Sequence, residues 1–72
     1  MYIIAVYDVH HKRVGKVRKV FKKYLFAVQN SVFEGYITES KLNKLKRDLD
    51  KVIDVSYDSI CFFVLLNVNK IF

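Results

Sequence analysis

Seventy-two residues carrying thirteen Lys or Arg against seven Asp or Glu describe one small basic domain of formal net charge +6. A hydrophobic fraction of 53% and an aromatic fraction of 15% are rich for this length, so surplus apolar surface asks for a partner, most simply a second copy of the chain. The absence of proline, two glycines and a single cysteine leave no linker, second domain or intrachain disulfide, and no apolar run reaches the length of a membrane span.

The first element is the run Tyr2-Ile3-Ile4-Ala5-Val6-Tyr7, six apolar residues that predict a buried strand. Asp8 closes it and is the only acid among the first 33 residues. A carboxylate at the end of such a strand is expected to be partly desolvated. His10 and His11 follow in a loop and read as solvated. Val14, Val17, Phe21 and Tyr24 then recur at helical spacing, with Val20 widening the stripe, and predict an amphipathic helix over residues 12–24.

Leu25 to Val28 reads as a short strand, Gln29-Asn30-Ser31 as a tight polar turn and Val32 to Ile37 as the returning strand of a hairpin. Glu34 is expected to point outward and meet a cation. Thr38 is a good N-cap, and Glu39 in the first turn suits the helix dipole. Leu42, Leu45, Leu49, Val52 and Ile53 mark a second helix ending near Asp54. Ile60 to Leu66 is a second fully apolar strand, in which Cys61 is expected to be a small buried hydrophobe. Residues 67–72 suggest a short tail strand.

The resulting order, β-α-β-β-α-β, predicts an α+β ferredoxin-like domain over residues 1–72, with two helices on one face of a four-stranded antiparallel sheet. The other sheet face is left open, which reinforces the expectation of a homodimer. The N-terminus lacks the features of a signal peptide, which predicts a cytoplasmic protein without membrane contact.

Charge is unevenly spread. Residues 1–33 hold seven cations (Lys12, Arg13, Lys16, Arg18, Lys19, Lys22 and Lys23) and one acid, whereas residues 34–72 hold six of each. All of the excess therefore lies in the N-terminal half, which favours an anionic partner such as nucleic acid, against the blander reading of a solvated helix face. Asp8 beside this positive segment is a candidate metal ligand set against a phosphate.

Tyr7-Asp8-Val9 closing the first strand, the basic helix ending Phe21-Lys22-Lys23-Tyr24, the segment from Val28 to Gly35, and Ile53-Asp54 leading into Asp58-Ser59-Ile60 together resemble the CRISPR-associated Cas-two family. That resemblance covers nearly the whole chain and implies a ferredoxin-like homodimer with facing sheets. It further implies a role in CRISPR spacer acquisition, association with an integrase subunit that the dimer bridges, and metal-dependent cleavage of RNA or double-stranded DNA. By the same resemblance Asp8 is the magnesium ligand, and Tyr7, Ser31 and Phe33 line its cleft.

One carboxylate per chain is thin for Mg²⁺, so the ion is expected to be shared by Asp8 of both subunits. Relatives often carry an arginine where this chain has Ala27, and often continue into a longer C-terminal segment that pairs with a partner. Two alternatives stand beside the nuclease: a non-catalytic DNA-binding scaffold, and a toxin-type ribonuclease of the related virulence-associated family.

Overall fold

The computed structural model describes residues 1–65. Its elements run β1 (Tyr2–Asp8), α1 (Val14–Lys22), β2 (Phe26–Gln29), β3 (Val32–Tyr36), α2 (Glu39–Asp50) and β4 (Ser59–Leu65). The four strands form one sheet in the order β2-β3-β1-β4, and every neighbouring pair is antiparallel. This is the split βαβ arrangement that the sequence predicts. The suggested tail strand over residues 67–72 lies outside the described residues.

The central strand explains the layering. Ile3, Ala5 and Tyr7 are buried, while Ile4, Val6 and Asp8 alternate onto the opposite face. The buried set joins Phe33, Ile37 and Leu25 beneath Val17 and Phe21 of α1 and Leu42, Leu45 and Leu49 of α2. Three aromatic rings form the centre of this core. Phe21 lies 4.9 Å from Phe33 and 5.5 Å from Tyr7 between ring centroids, both pairs stacked.

Among the described residues, none covers the other face. Val6, Phe26, Phe63 and Leu65 are exposed there, Phe26 by 78% and Phe63 by 54%. The apolar runs of β1 and β4 therefore do not mark strands buried on both sides: the helices cover one face only, and continuous hydrophobicity supplies the residues of the open one. Cys61 is likewise exposed, because its register partner Val6 lies on that open face. The expected desolvation of Asp8 also fails, since alternation puts it on the open face at the strand end, where it is exposed.

Helix boundaries differ from the periodicity for local reasons. Helix α1 starts two residues later than expected because His10 organises a turn: its Nδ1 accepts the Lys12 N–H at 3.1 Å and its carbonyl accepts the Arg13 N–H at 2.8 Å. Arg13 at the N-cap has no capping side chain of its own. Thr38 does cap α2, its hydroxyl accepting the Lys41 N–H at 3.1 Å. That helix ends at Asp50, and the amides of Val52 and Ile53 fold back onto the Leu49 carbonyl at 2.9 and 3.0 Å. Both residues still pack on the core, so their periodicity is real although the helix has stopped.

Candidate nucleic-acid and metal site

Strand β1 delivers Asp8 to the end of the sheet where α1 and the β2–β3 turn meet. There Tyr7, Asp8, Val9, Val14 and Arg18 line a recess of about 210 Å³ together with Asn30 and Ser31 of the turn. The hairpin is tied to the strand by the Tyr7 N–H, which donates to the Ser31 carbonyl at 3.1 Å. The fold thus gathers Tyr7, Asp8 and Ser31, three of the four residues expected in the cleft. Phe33 is not among the lining residues, being fully buried in the aromatic core. Tyr7 shares that core while also bordering the recess, and Arg18 donates to its hydroxyl at 3.4 Å.

The seven N-terminal cations separate into three kinds. Arg13 is committed to the protein. Its Nε and Nη2 donate to Asp58 Oδ2 and Oδ1 at 2.6 and 2.9 Å, a bidentate pair around a carboxylate with no exposed side-chain surface. Arg18 turns inward, its guanidinium 5.3 Å from the Phe33 ring centroid. The remaining five, Lys12, Lys16, Lys19, Lys22 and Lys23, are exposed. Arg13 therefore departs from the expectation that all seven face nucleic acid, because a buried carboxylate takes two of its donors.

Asp58 is a functional residue of the scaffold that sequence reasoning left unassigned. Beyond Arg13 it accepts the backbone N–H groups of His10 and Asp54, each at 2.9 Å. One carboxylate so clamps the loop after Asp8 to the loop before β4. Chiefly the Arg13 hydrogen bonds, aided by those two amides and opposed by burial, hold the Asp58 carboxyl well below the usual carboxylate range. Asp54, accepting the Ser56 hydroxyl and amide at 2.7 and 3.0 Å, is lowered as well, mainly by that hydroxyl. The Asp54-x-Ser56 spacing was readable as a local turn; the Asp58–Arg13 pair, 45 residues apart in sequence, was not.

His10 and His11 stack on each other with centroids 4.2 Å apart, and His10 also meets Tyr57 edge-on at 5.5 Å. His10 is half-buried rather than solvated, because its amide and carbonyl are both fixed in the loop clamped by Asp58. Glu34 accepts the Tyr2 hydroxyl at 2.7 Å, which pushes the Tyr2 phenol up to about 12. A phenol, not the expected cation, is its partner: among the described residues the one ion pair is Arg13–Asp58.

Metal binding can be tested against this donor set. Among the described residues no three His, Cys, Asp or Glu side chains come together. The recess offers one carboxylate plus the oxygens of Ser31 and Asn30, hard donors of the type Mg²⁺ prefers but too few in charge for a closed site.

The family model described as CRISPR associated protein Cas2 matches residues 1–70. The chain belongs to this family. A relative from Thermodesulfovibrio yellowstonii named CRISPR-associated endoribonuclease Cas2 3 is 58% identical over 66 residues, which cover 92% of this chain and 75% of that protein. The CRISPR-associated endoribonuclease Cas2 of Thermotoga maritima is 47% identical over 72 residues, covering 100% of this chain and 82% of its own length. The crystal structure of Streptococcus pyogenes Cas2 superposes with a TM-score of 0.83 at 37% identity, covering 90% of this chain and 86% of that one. The likeness to Cas2 proteins read from the strand-end Tyr7-Asp8-Val9 and the hairpin is thereby borne out, and so is the ferredoxin-like fold. Among the described residues no helix is long and apolar enough to cross a membrane.

Proposed function

We propose that this Cas2 family member works in CRISPR spacer acquisition as a homodimeric, magnesium-dependent endonuclease that acts on RNA. The observation that carries the reading is the Asp8 recess: an exposed carboxylate, without an ion pair among the described residues, sharing one small cavity with an arginine and a hydroxyl. The curated relatives are named endoribonucleases, which supports RNA as substrate. The open sheet face supports the dimer. Its uncovered Val6, Phe26, Phe63 and Leu65 need burial, and a groove of about 540 Å³ runs among Tyr2, Ile4, Phe26, Tyr36 and Leu65.

Asp8 lies on that same face, so pairing two sheets brings a second carboxylate toward the first and completes the donor set for one shared ion. Bound there, magnesium supplies a Lewis acid for the phosphate and a more acidic water. The chain's own contribution is to hold Asp8 at a strand end fixed by the Tyr7–Ser31 hydrogen bond and to set the cationic side chains around it. Cleavage of labelled single-stranded RNA with and without Mg²⁺ tests the proposal. Asp8→Asn and Asp8→Ala are expected to abolish it, and undiminished magnesium-dependent cleavage by either variant refutes it.

A second reading is favoured by a separate observation, the five exposed lysines of the α1 segment. They fit a DNA-binding scaffold that bridges integrase subunits by backbone contacts alone. Copurification with the integrase and a spacer-integration assay separate the two readings. Integration that survives Asp8→Asn but is lost when those lysines are neutralised supports the scaffold.

A further inference from the structure

We infer that Arg18 is the phosphate-binding side chain of the Asp8 recess, its guanidinium holding a non-bridging oxygen of the backbone phosphate that Asp8 faces. The inference rests on reading the recess as the phosphodiester site, and it separates Arg18 from the other cations of the segment. Four observations converge on it. Val14 and Arg18, one helical turn apart, both line the recess, so Arg18 alone among the cations of α1 borders the space that Asp8 also borders. The Phe33 ring backs the guanidinium at 5.3 Å, and Phe33 is itself locked between the core and Phe21.

The third observation concerns unused donors. The contact to the Tyr7 hydroxyl, at 3.4 Å, is longer than a good N–H···O bond, and among the described residues Arg18 has no other hydrogen-bond partner. A planar fork with free N–H groups, stiffened from behind by an aromatic ring, is suited to take two phosphate oxygens at small entropic cost. The fourth is the missing ion pair. Arg18 and Asp8 line one cavity without approaching within ion-pair distance, whereas Arg13 and Asp58 do so. Both residues border one space of about 210 Å³. A phosphate between them is bound on one side by the guanidinium and faces the carboxylate, with any ion it holds, on the other.

The test uses the full chain with Asp8→Asn, so that a single-stranded RNA stays intact, and measures its dissociation constant by fluorescence anisotropy across salt concentrations. Adding Arg18→Gln is expected to lower the log–log salt slope by about 0.7 per recess engaged, the share of one single-strand phosphate. Arg18→Lys should keep the slope but bind more weakly, since it retains charge and loses the fork. An Arg18 that only packs against Phe33 predicts the opposite pattern: a lower melting temperature in Arg18→Gln and the same slope, which overturns the inference. Should Arg18→Gln fail to fold, an affinity and slope identical to those of Arg18 in the Lys variant overturn it instead. The two readings fail separately. If Asp8 proves dispensable for cleavage yet the slope falls with Arg18→Gln, phosphate binding stands without the catalytic role; if Asp8 is essential and the slope does not move, Arg18 alone is misassigned.

Discussion

Neutralising Lys19 and Lys22 is expected to weaken nucleic-acid binding in a way that salt dependence makes quantitative. Of seven N-terminal cations, Arg13 is bound to Asp58 and Arg18 faces the recess, which leaves five exposed lysines to release counterions from a duplex. At a slope of about 0.9 per phosphate neutralised, five contacts give a slope near 4.5, so a fourfold rise in salt from about 50 to 200 mM lowers affinity by about 500-fold. With Lys19→Gln and Lys22→Gln together the slope drops to about 2.7 and the same rise lowers affinity by about 40-fold. The assay is anisotropy with a labelled duplex at several salt concentrations, repeated on two unrelated sequences to show that the loss is uniform. A double variant with an unchanged slope refutes the assignment of these lysines. A full loss of slope refutes the count, because it would mean that two residues carry all the contacts.

Asp58 gives a pH prediction with a definite sign. Its folded carboxyl lies below its unfolded value, so the stability it contributes is fully present above the ordinary carboxylate range near pH 4 and is lost as pH falls toward the depressed folded value. Melting temperatures between pH 7 and pH 2 are expected to fall steeply in the acid limb for the natural chain and less steeply for Asp58→Asn, which starts lower. Charging the open face should dissociate the proposed dimer without unfolding the chain: sedimentation of Val6→Lys or Phe63→Glu is expected to show a monomer with unchanged circular dichroism. Phe21→Ala removes the ring stacked on both Phe33 and Tyr7, at a cost of about 3–5 kcal/mol. Against a total stability of about 4–11 kcal/mol for a chain of this size, that is a large share, and denaturant titration should find a much lower unfolding midpoint.

Much of this was legible in one dimension. Val17 and Phe21, or Leu42, Leu45 and Leu49, repeat at the period of a helix because burying one stripe requires it, and Thr38 announces its helix because a cap needs a short oxygen-bearing side chain. The apolar run Tyr2 to Tyr7 was read correctly as a strand and the sheet's second face as open, although hydrophobicity alone does not say which residues of a strand lie on which face. Cys61 was misplaced for the same reason. Arg13 illustrates a different limit: seven cations look alike in sequence, and nothing local distinguishes the one that a distant carboxylate will claim.

The sequence by itself determined the order of elements, the excess of positive charge in the N-terminal half and the placing of a lone acid at the end of the first strand. These are local or additive properties, set by period, composition and neighbouring residues. Only the tertiary structure decided which cations are free, that Asp58 clamps two loops, and that Asp8, Ser31 and Arg18 border one recess while Phe33 is sealed beneath it. Those facts depend on contacts between residues far apart along the chain, which exist only once β1 has paired with β3 and β4 and α1 has settled on the sheet.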